Sequence, residues 1–422
     1  MGTILANERK DWIFIILSSI SGFLLVSFYL LIGKLFPNQP EIALLITFLI
    51  YAIFFDVRHL FSTYSRTYLD KTYFNENKRW LNLSFAFIIL IPLLALLLIS
   101  RGDYFSYNTG IVFTFLLRIT TILGFYHLIK QNWGFMAIYK KKMNEPQDNS
   151  DKWEKMMLLS GSFIPFVIAA IIYPVWFPSE QTFIFPEPHL KEYIAEMWNK
   201  IALSSLFFSI FLLLVGYAFN SLPQYKYVSR NLGLFFFATF VLMKSLLHWE
   251  TDTLFVILFV IILLFLVATI MSIRKAIEQK LFNKKKWAVL ISSLVLYGGI
   301  LLLPIENKSV VVMAITIPHN IQYLTFVNFF NSKFYSTSKK EHGLAKRMAQ
   351  KVSYFIVVSF LYSVLYESFR TGTKYISFGT PEVKYIVGNV IAVFFLSMSL
   401  HHYYLDAVIW RVRKDKEIRD TV

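Results

Sequence analysis

Two adjacent histidines and an aspartate stand near the end of the chain, in the run LHHYYLDAVIWRVRKD from Leu400 to Asp415. His402 and Asp406 are four residues apart, the spacing that puts two side chains on one face of a helix. An imidazole and a carboxylate placed in this way can bind a metal ion, move a proton or hold each other in register. A second pair, Asp56 and His59, lies three apart in FDVRHLFSTYSRTYLD. His127 sits in GFYHLIKQNWG. His319 follows a proline in IPHNIQY, with Asn320 beside it and Tyr323 one helical turn on. Pro318 cannot donate a backbone hydrogen bond, so it is expected to disturb the helix and swing the His319 imidazole inward.

The elements that must position these residues are apolar helices. The chain has 422 residues, 56% of them hydrophobic, 18% aromatic and only 16% charged, with a mean hydropathy of +0.54. Its apolar runs reach about 20 residues, enough to cross a bilayer. No alternating pattern of barrel strands occurs, which leaves helices as the way to satisfy the backbone in lipid. The expected fold is all-α: a polytopic integral membrane helical bundle, forming a single transmembrane domain over 1–422. Twelve segments are expected, at 12–36, 41–60, 80–100, 108–130, 156–178, 200–220, 232–249, 252–272, 287–304, 309–331, 351–370 and 384–410.

Charge orients them. With the N-terminus cytoplasmic, 32 of the 42 lysines and arginines fall in cytoplasmic loops and termini, and 8 fall on the other side. That bias is what the positive-inside rule requires, and it places both termini in the cytoplasm. The net charge of +16 is therefore topological, with membrane lipid as the partner and no nucleic acid implied. No cleavable signal peptide is evident, because Trp12 to Phe36 is too long and lacks a small-residue cleavage site.

The same topology gathers His59, His127, His319, His401 and His402 into the cytoplasmic half of the bilayer, on four different helices. His189 and His342 fall in loops, and His248 at the outer end of its helix. The chain has no cysteine, which excludes thiolate and iron–sulfur centres. Imidazole and carboxylate remain, the ligands that non-haem iron, manganese, zinc and copper accept. The five histidines are candidate metal ligands, with iron the first choice of ion. Asp56 and Asp406 are candidates to orient or join them, and Asn320 and Tyr323 to bind a ligand or substrate oxygen. Asp70 is read as part of a solvated inner loop, with an outer-shell role as the other possibility. No Gly-rich phosphate loop, HExxH, GxSxG or CxxC motif occurs.

The C-terminal run resembles the H-(H/Y)-Y-x-D-x-x-I-W-(R/K) ending of a group of uncharacterised bacterial multi-pass membrane proteins, and FDVRHLFSTYSRTYLD carries the same likeness. This resemblance implies a bacterial inner-membrane protein and brings no activity with it. In theme alone, histidines from separate helices are similar to the iron ligands of membrane carotenoid-cleaving dioxygenases; length and local motifs differ. The expected function is a metal-dependent oxidoreductase that uses O₂ at histidine-bound iron on an apolar substrate delivered from the lipid. A proton- or cation-coupled transporter and a haem- or quinone-binding protein are the alternatives. A metal site requires the imidazoles to converge, whereas a proton relay strings them along a path.

Overall fold

The computed structural model describes residues 3–5, 7–94, 105–146, 150–172, 251–279, 282–305, 307–372 and 381–410. These fold into α1 (Glu8–Leu35), α2 (Pro40–Thr67), α3 (Lys71–Phe85, continued by a π turn over Ala86–Leu90), α4 (Phe105–Lys142), α5 (Ser150–Ile172) and α6 (Thr251–Glu278). Then come α7 (Lys284–Leu301), α8 (Lys308–Thr337), the short α9 (Leu344–Gln350), α10 (Val352–Gly372) and α11 (Pro381–Ile409). No strand occurs among the described residues. Six helices among the described residues, α1, α2, α5, α6, α8 and α10, are long and apolar enough to cross a membrane. Of the twelve expected segments, 200–220 and 232–249 lie outside the described residues, as do the loop 179–199, His189, Lys244 and His248; the described part of each other segment is largely helical.

By compactness the chain divides into two units. One comprises 1–98, 119–169 and 260–422, and holds every residue discussed below. The other comprises 99–118 and 170–259, of which the described part is helical.

Within the first unit α8 is the central helix. Of its most apolar stretch 72% is buried, against 11% for α6. The outward face of α6, with Leu263, Leu266, Ile270 and Ile273, is apolar and exposed, as a lipid-facing helix requires. Pro318 lies inside α8, and helical geometry continues through it. It leaves the carbonyl of Ala314 without the usual i+4 donor, and at this level α1 approaches most closely. Gly22 of α1 abuts that carbonyl so tightly that a Cβ would collide with it. Another backbone group is freed where α1 passes through a π turn at Trp12–Ile16. There the Gln322 side chain of α8 donates to the Ile15 carbonyl at 2.7 Å, satisfying a polar group that burial would otherwise penalise.

Ion pairs fix the end of the bundle assigned to the cytoplasm. Lys286 Nζ lies 2.7 Å from both Glu145 and Glu154, and Lys140 Nζ lies 2.6 Å from Asp151 and 3.1 Å from Glu154. Lys285 approaches Asp11 and Glu8 at 3.7 and 3.6 Å. Lys71 and Lys340 pair with Glu341 and Glu76 at 3.1 Å. Each of these contacts between loops joins two loops that the charge bias puts on one side. Asp70 departs from expectation, because it is buried rather than solvated. It caps α3 through Tyr73 N, accepts from Tyr335 Oη at 2.8 Å and meets His342 Nδ1 at 2.8 Å. The cap and the two side-chain donors account for a carboxylate in a closed position.

Burial disfavours the charge of Lys140, but its bonds to Asp151 and Glu154 outweigh that, so its pKa lies above the ordinary lysine value. A raised folded-state pKa gives stability that is complete below the unfolded value of about 10.4 and drains away only above it. Raising the pH from 7 to 9 should therefore leave this ion cluster intact. Lys286→Met should instead leave two buried carboxylates short of a counter-charge, at a cost of about 3–5 kcal/mol. Thermal unfolding in detergent, followed across that pH range for both proteins, measures the two effects together.

Candidate metal centre

Four helices converge on one point. On α2, a π turn at Ala52–Asp56 precedes His59, and His59 and Thr63 then share a face four residues apart. On α11, His402, Asp406 and Trp410 repeat the same spacing. His127 comes from α4, and Tyr323 from α8. His59, His127, His402 and Asp406 each offer one ligand atom within 4.8 Å of all the others. The Nε2 atoms of His402, His127 and His59 lie 3.5, 3.6 and 4.0 Å from Asp406 Oδ2. His59 Nε2 and His402 Nε2 are 2.6 Å apart.

Those separations suit a shared ion. Ligands at 2.0–2.1 Å around a tetrahedral ion stand roughly 3.4 Å from one another; the three contacts to Asp406 Oδ2, at 3.5, 3.6 and 4.0 Å, lie near that value, whereas His59 and His402, at 2.6 Å, are at hydrogen-bond distance and must open to share an ion. The hydrogen-bond inventory points the same way. Asp406 Oδ2 and His127 Nε2 are fully buried with no hydrogen-bond partner. A buried orphan carboxylate oxygen is costly, and one facing three imidazole nitrogens is explained by a cation among them.

The other oxygen of Asp406 is held from outside. Oδ1 lies 2.7 Å from Tyr323 Oη and 2.8 Å from Thr63 Oγ1, and these two hydroxyls are 2.7 Å apart. Each hydroxyl has one proton, so two of the three contacts in that triangle are hydrogen bonds at any moment. Trp410 Nε1 donates to Tyr323 Oη at 3.0 Å. The indole is itself backed by the buried Arg66 guanidinium, 4.8 Å from the Trp410 ring and 4.3 Å from that of Phe330. A chain of contacts thus runs Arg66, Trp410, Tyr323, Asp406 and turns Oδ2 toward the histidines. Orienting partners of this kind tune metal sites.

The imidazoles are oriented differently. His59 Nδ1 and His402 Nδ1 have no hydrogen-bond partner, so ring packing sets their angles. The His59 ring lies 4.1 Å from Tyr323 and 4.5 Å from His402, and His127 stacks on Tyr403 at 4.7 Å.

Not every candidate residue joins the centre. His401 points the other way, with Nδ1 3.1 Å from Tyr64 Oη and Nε2 3.1 Å from Ser84 Oγ. Both its nitrogens have protein partners, and its adjacent position on a helix turns it about 100° from His402. His319 packs against two of the four, its ring 4.7 Å from that of His59 and 4.9 Å from that of His127, and its buried Nδ1 also lacks a hydrogen-bond partner, but it falls outside the group of converging ligand atoms. Asp56 does not orient His59; it accepts from Tyr51 Oη at 2.8 Å and faces Asn320 Nδ2 at 3.5 Å. Asn320 is correspondingly occupied there, in a polar cluster that also includes Thr316. Sequence reasoning passed over Thr63, Arg66 and Trp410. Two of these were within reach, since Thr63 is four residues beyond His59 and Trp410 four beyond Asp406.

A cavity of about 360 Å³ adjoins the centre and is bounded there by His127, Tyr323 and Asp406. Gln131 forms part of its wall and donates to the His319 carbonyl and to Gln322 Oε1 at 3.1 and 3.0 Å.

No family model, curated protein or solved structure matches the chain. The runs FDVRHLFSTYSRTYLD and LHHYYLDAVIWRVRKD meet here. Both supply the centre: His59 and Thr63 come from one, and His402, Asp406 and Trp410 from the other.

Tyr323→Phe and Thr63→Val should each weaken metal binding by about 10–100-fold, the usual cost of losing an orienting partner. His401→Ala should leave metal content unchanged. Titration of the purified variants with a divalent ion, read by calorimetry, checks all three.

Proposed function

We propose that the chain is an integral-membrane metalloenzyme whose His59, His127, His402 and Asp406 hold one redox-active ion, iron before manganese or copper, and that it uses O₂ to oxidise an apolar molecule taken from the lipid. The observation that carries this reading is convergence. Four ligand atoms from three separate helices meet within 4.8 Å, and Asp406 Oδ2 lacks any other partner. A proton relay would require the same residues in file, each bonded to the next toward the two sides of the membrane. Convergence therefore favours the metal over the transporter.

Three imidazoles and a carboxylate form a donor set that suits iron, which would supply the oxygen chemistry at this point when bound. The protein's own part is to fix those four atoms and exclude bulk water. Tyr323 and Thr63 hold Asp406 so that one oxygen serves the ion, and Tyr403, stacked on His127, and Tyr323, packed against His59, keep those imidazoles from turning away. The adjoining cavity gives substrate a place next to His127 and Asp406, in surroundings that are largely apolar. O₂ is the electron acceptor in this scheme.

Elemental analysis of detergent-purified protein tests the reading. About one equivalent of iron is expected, and both His59→Ala and His402→Ala should strip it while still inserting into the membrane, because neither change alters a helix's hydropathy enough to matter. Full metal content in both variants would remove the centre from these residues. Tightly held zinc with no oxygen consumption would mark a closed four-ligand structural site instead. Absorbance of the same sample checks the haem alternative.

A further inference from the structure

A second set of reactive side chains stands where α8 ends, and it shares no residue with the metal centre. Ser338 is the C-cap of α8, and its hydroxyl lies 2.7 Å from His342 Nε2. The other nitrogen of that imidazole, Nδ1, lies 2.8 and 2.9 Å from the two oxygens of Asp70. Serine, histidine and aspartate thus stand in line, each within hydrogen-bond reach of the next. Asp70 comes from the turn between α2 and α3, 272 residues before His342 in the chain.

The bonds fix where the protons sit. Asp70 accepts from Tyr73 N at 3.0 Å and from Tyr335 Oη at 2.8 Å. With Asp70 also the acceptor for the imidazole, the ring proton is on Nδ1 and Nε2 presents its lone pair. Ser338 is then the donor to Nε2, while Lys340 N donates to the serine oxygen at 3.3 Å. The Tyr335 and Phe334 rings, 4.9 and 5.4 Å from that of His342, hold the imidazole in place. The two turns are tied by Lys71 N to the His342 carbonyl and Ala345 N to the Leu69 carbonyl, both at 3.4 Å. Gly343 makes the bend at φ +61°, a conformation that favours glycine. His342 and Asp70 are buried, whereas Ser338 is partly open between the exposed Thr337 and Lys339. A shielded base behind a reachable hydroxyl is the arrangement that nucleophilic catalysis requires.

We propose that Ser338, His342 and Asp70 form a nucleophilic centre that transfers acyl groups from carboxylic esters to water. The proposal goes beyond the oxidoreductase reading and stands or falls apart from it. Ser338 Oγ bonds to the carbonyl carbon of the ester as its proton passes to His342 Nε2. The bond to the alcohol oxygen then breaks, and the alcohol leaves with that proton. Water attacks the acyl-serine and gives a proton to His342, which returns it to Ser338 as the acid departs. Asp70 keeps the imidazole in the tautomer that these transfers need. The exposed pairs Lys71–Glu341 and Lys340–Glu76 stand beside the same turns, so the ester arrives from water rather than from hydrocarbon.

The test is labelling of the full-length protein in detergent with diisopropyl fluorophosphate, which loses fluoride to an activated serine, followed by mass spectrometry of the peptide carrying Ser336 and Ser338. Ser336 is the internal reference: it is exposed, and its hydroxyl donates to the Lys333 carbonyl. The label should fall on Ser338 and spare Ser336. Ser338→Ala should remove it. His342→Gln and Asp70→Asn should slow it by about 10²–10⁴-fold, in the maximal rate rather than in the half-saturating concentration, a split that loosening of the loops alone would not produce. 4-Nitrophenyl acetate should be hydrolysed by the wild type and not by Ser338→Ala. A wild-type protein labelled on neither serine, or equally on both, would overturn the proposal and leave the cluster as a clasp between two turns. Labelling as fast in His342→Gln as in the wild type would also overturn it. Labelling of Ser338 without hydrolysis of the acetate ester would overturn the assignment to acyl transfer.

Discussion

A carboxylate that leaves water must find something to replace it, and Asp406 is buried where four helices meet. Its two oxygens meet that requirement in different ways. One takes the hydroxyls of Tyr323 and Thr63; the other faces three imidazole nitrogens and no proton that points at it. The arrangement is costly for an empty protein and favourable for one that binds a cation. Much of the surrounding structure makes sense as the means of keeping that second oxygen in place. Tyr323 is fixed by Trp410, Trp410 by Arg66, and Arg66 by the aromatic rings at the end of α8.

α8 serves this purpose because it is buried on nearly every side. It supplies Tyr323 to the carboxylate, His319 to the rings packed around His59, and Gln322 to the irregular start of α1. Its proline leaves a carbonyl that only a glycine could approach so closely, and Gly22 is there. The long-range order of the bundle and the short-range order of the centre are thus imposed by the same helix. The charged network at one end, with Lys140 and Lys286 among three carboxylates, anchors α4, α5 and α7 in a comparable way.

Much of this was legible in the sequence. Hydropathy gives the helices, and the lysine and arginine bias predicts which loops share an end, as the pairs Lys286–Glu145, Lys285–Asp11 and Lys71–Glu341 bear out for the described residues. Helical spacing on α2 and α11 puts His59 and His402–Asp406 on the faces that meet. Rotation about a helix axis was harder to read. His401 and His402 are neighbours with equal claims until packing chooses between them, and packing gave His401 to Tyr64 and Ser84. Asp56 was misread for a related reason: a π turn ends on it, so its side chain leaves the stripe that a regular helix would draw through His59. Arg66 was hidden because a cation over an aromatic ring has no spacing signature, and its ring partners Phe330, Phe334 and Trp410 lie far along the chain.

His59 and His402 are 343 residues apart in the chain. At ribosomal speeds of about 5–20 residues per second, roughly 20–70 s pass between the synthesis of the first ligand and the arrival of the last. During that interval the earlier helices already stand in the bilayer with their imidazoles unmatched. Any ion these residues hold must therefore be taken up after α11 is made, since a nascent chain cut off before it carries His59 and His127 without His402 or Asp406.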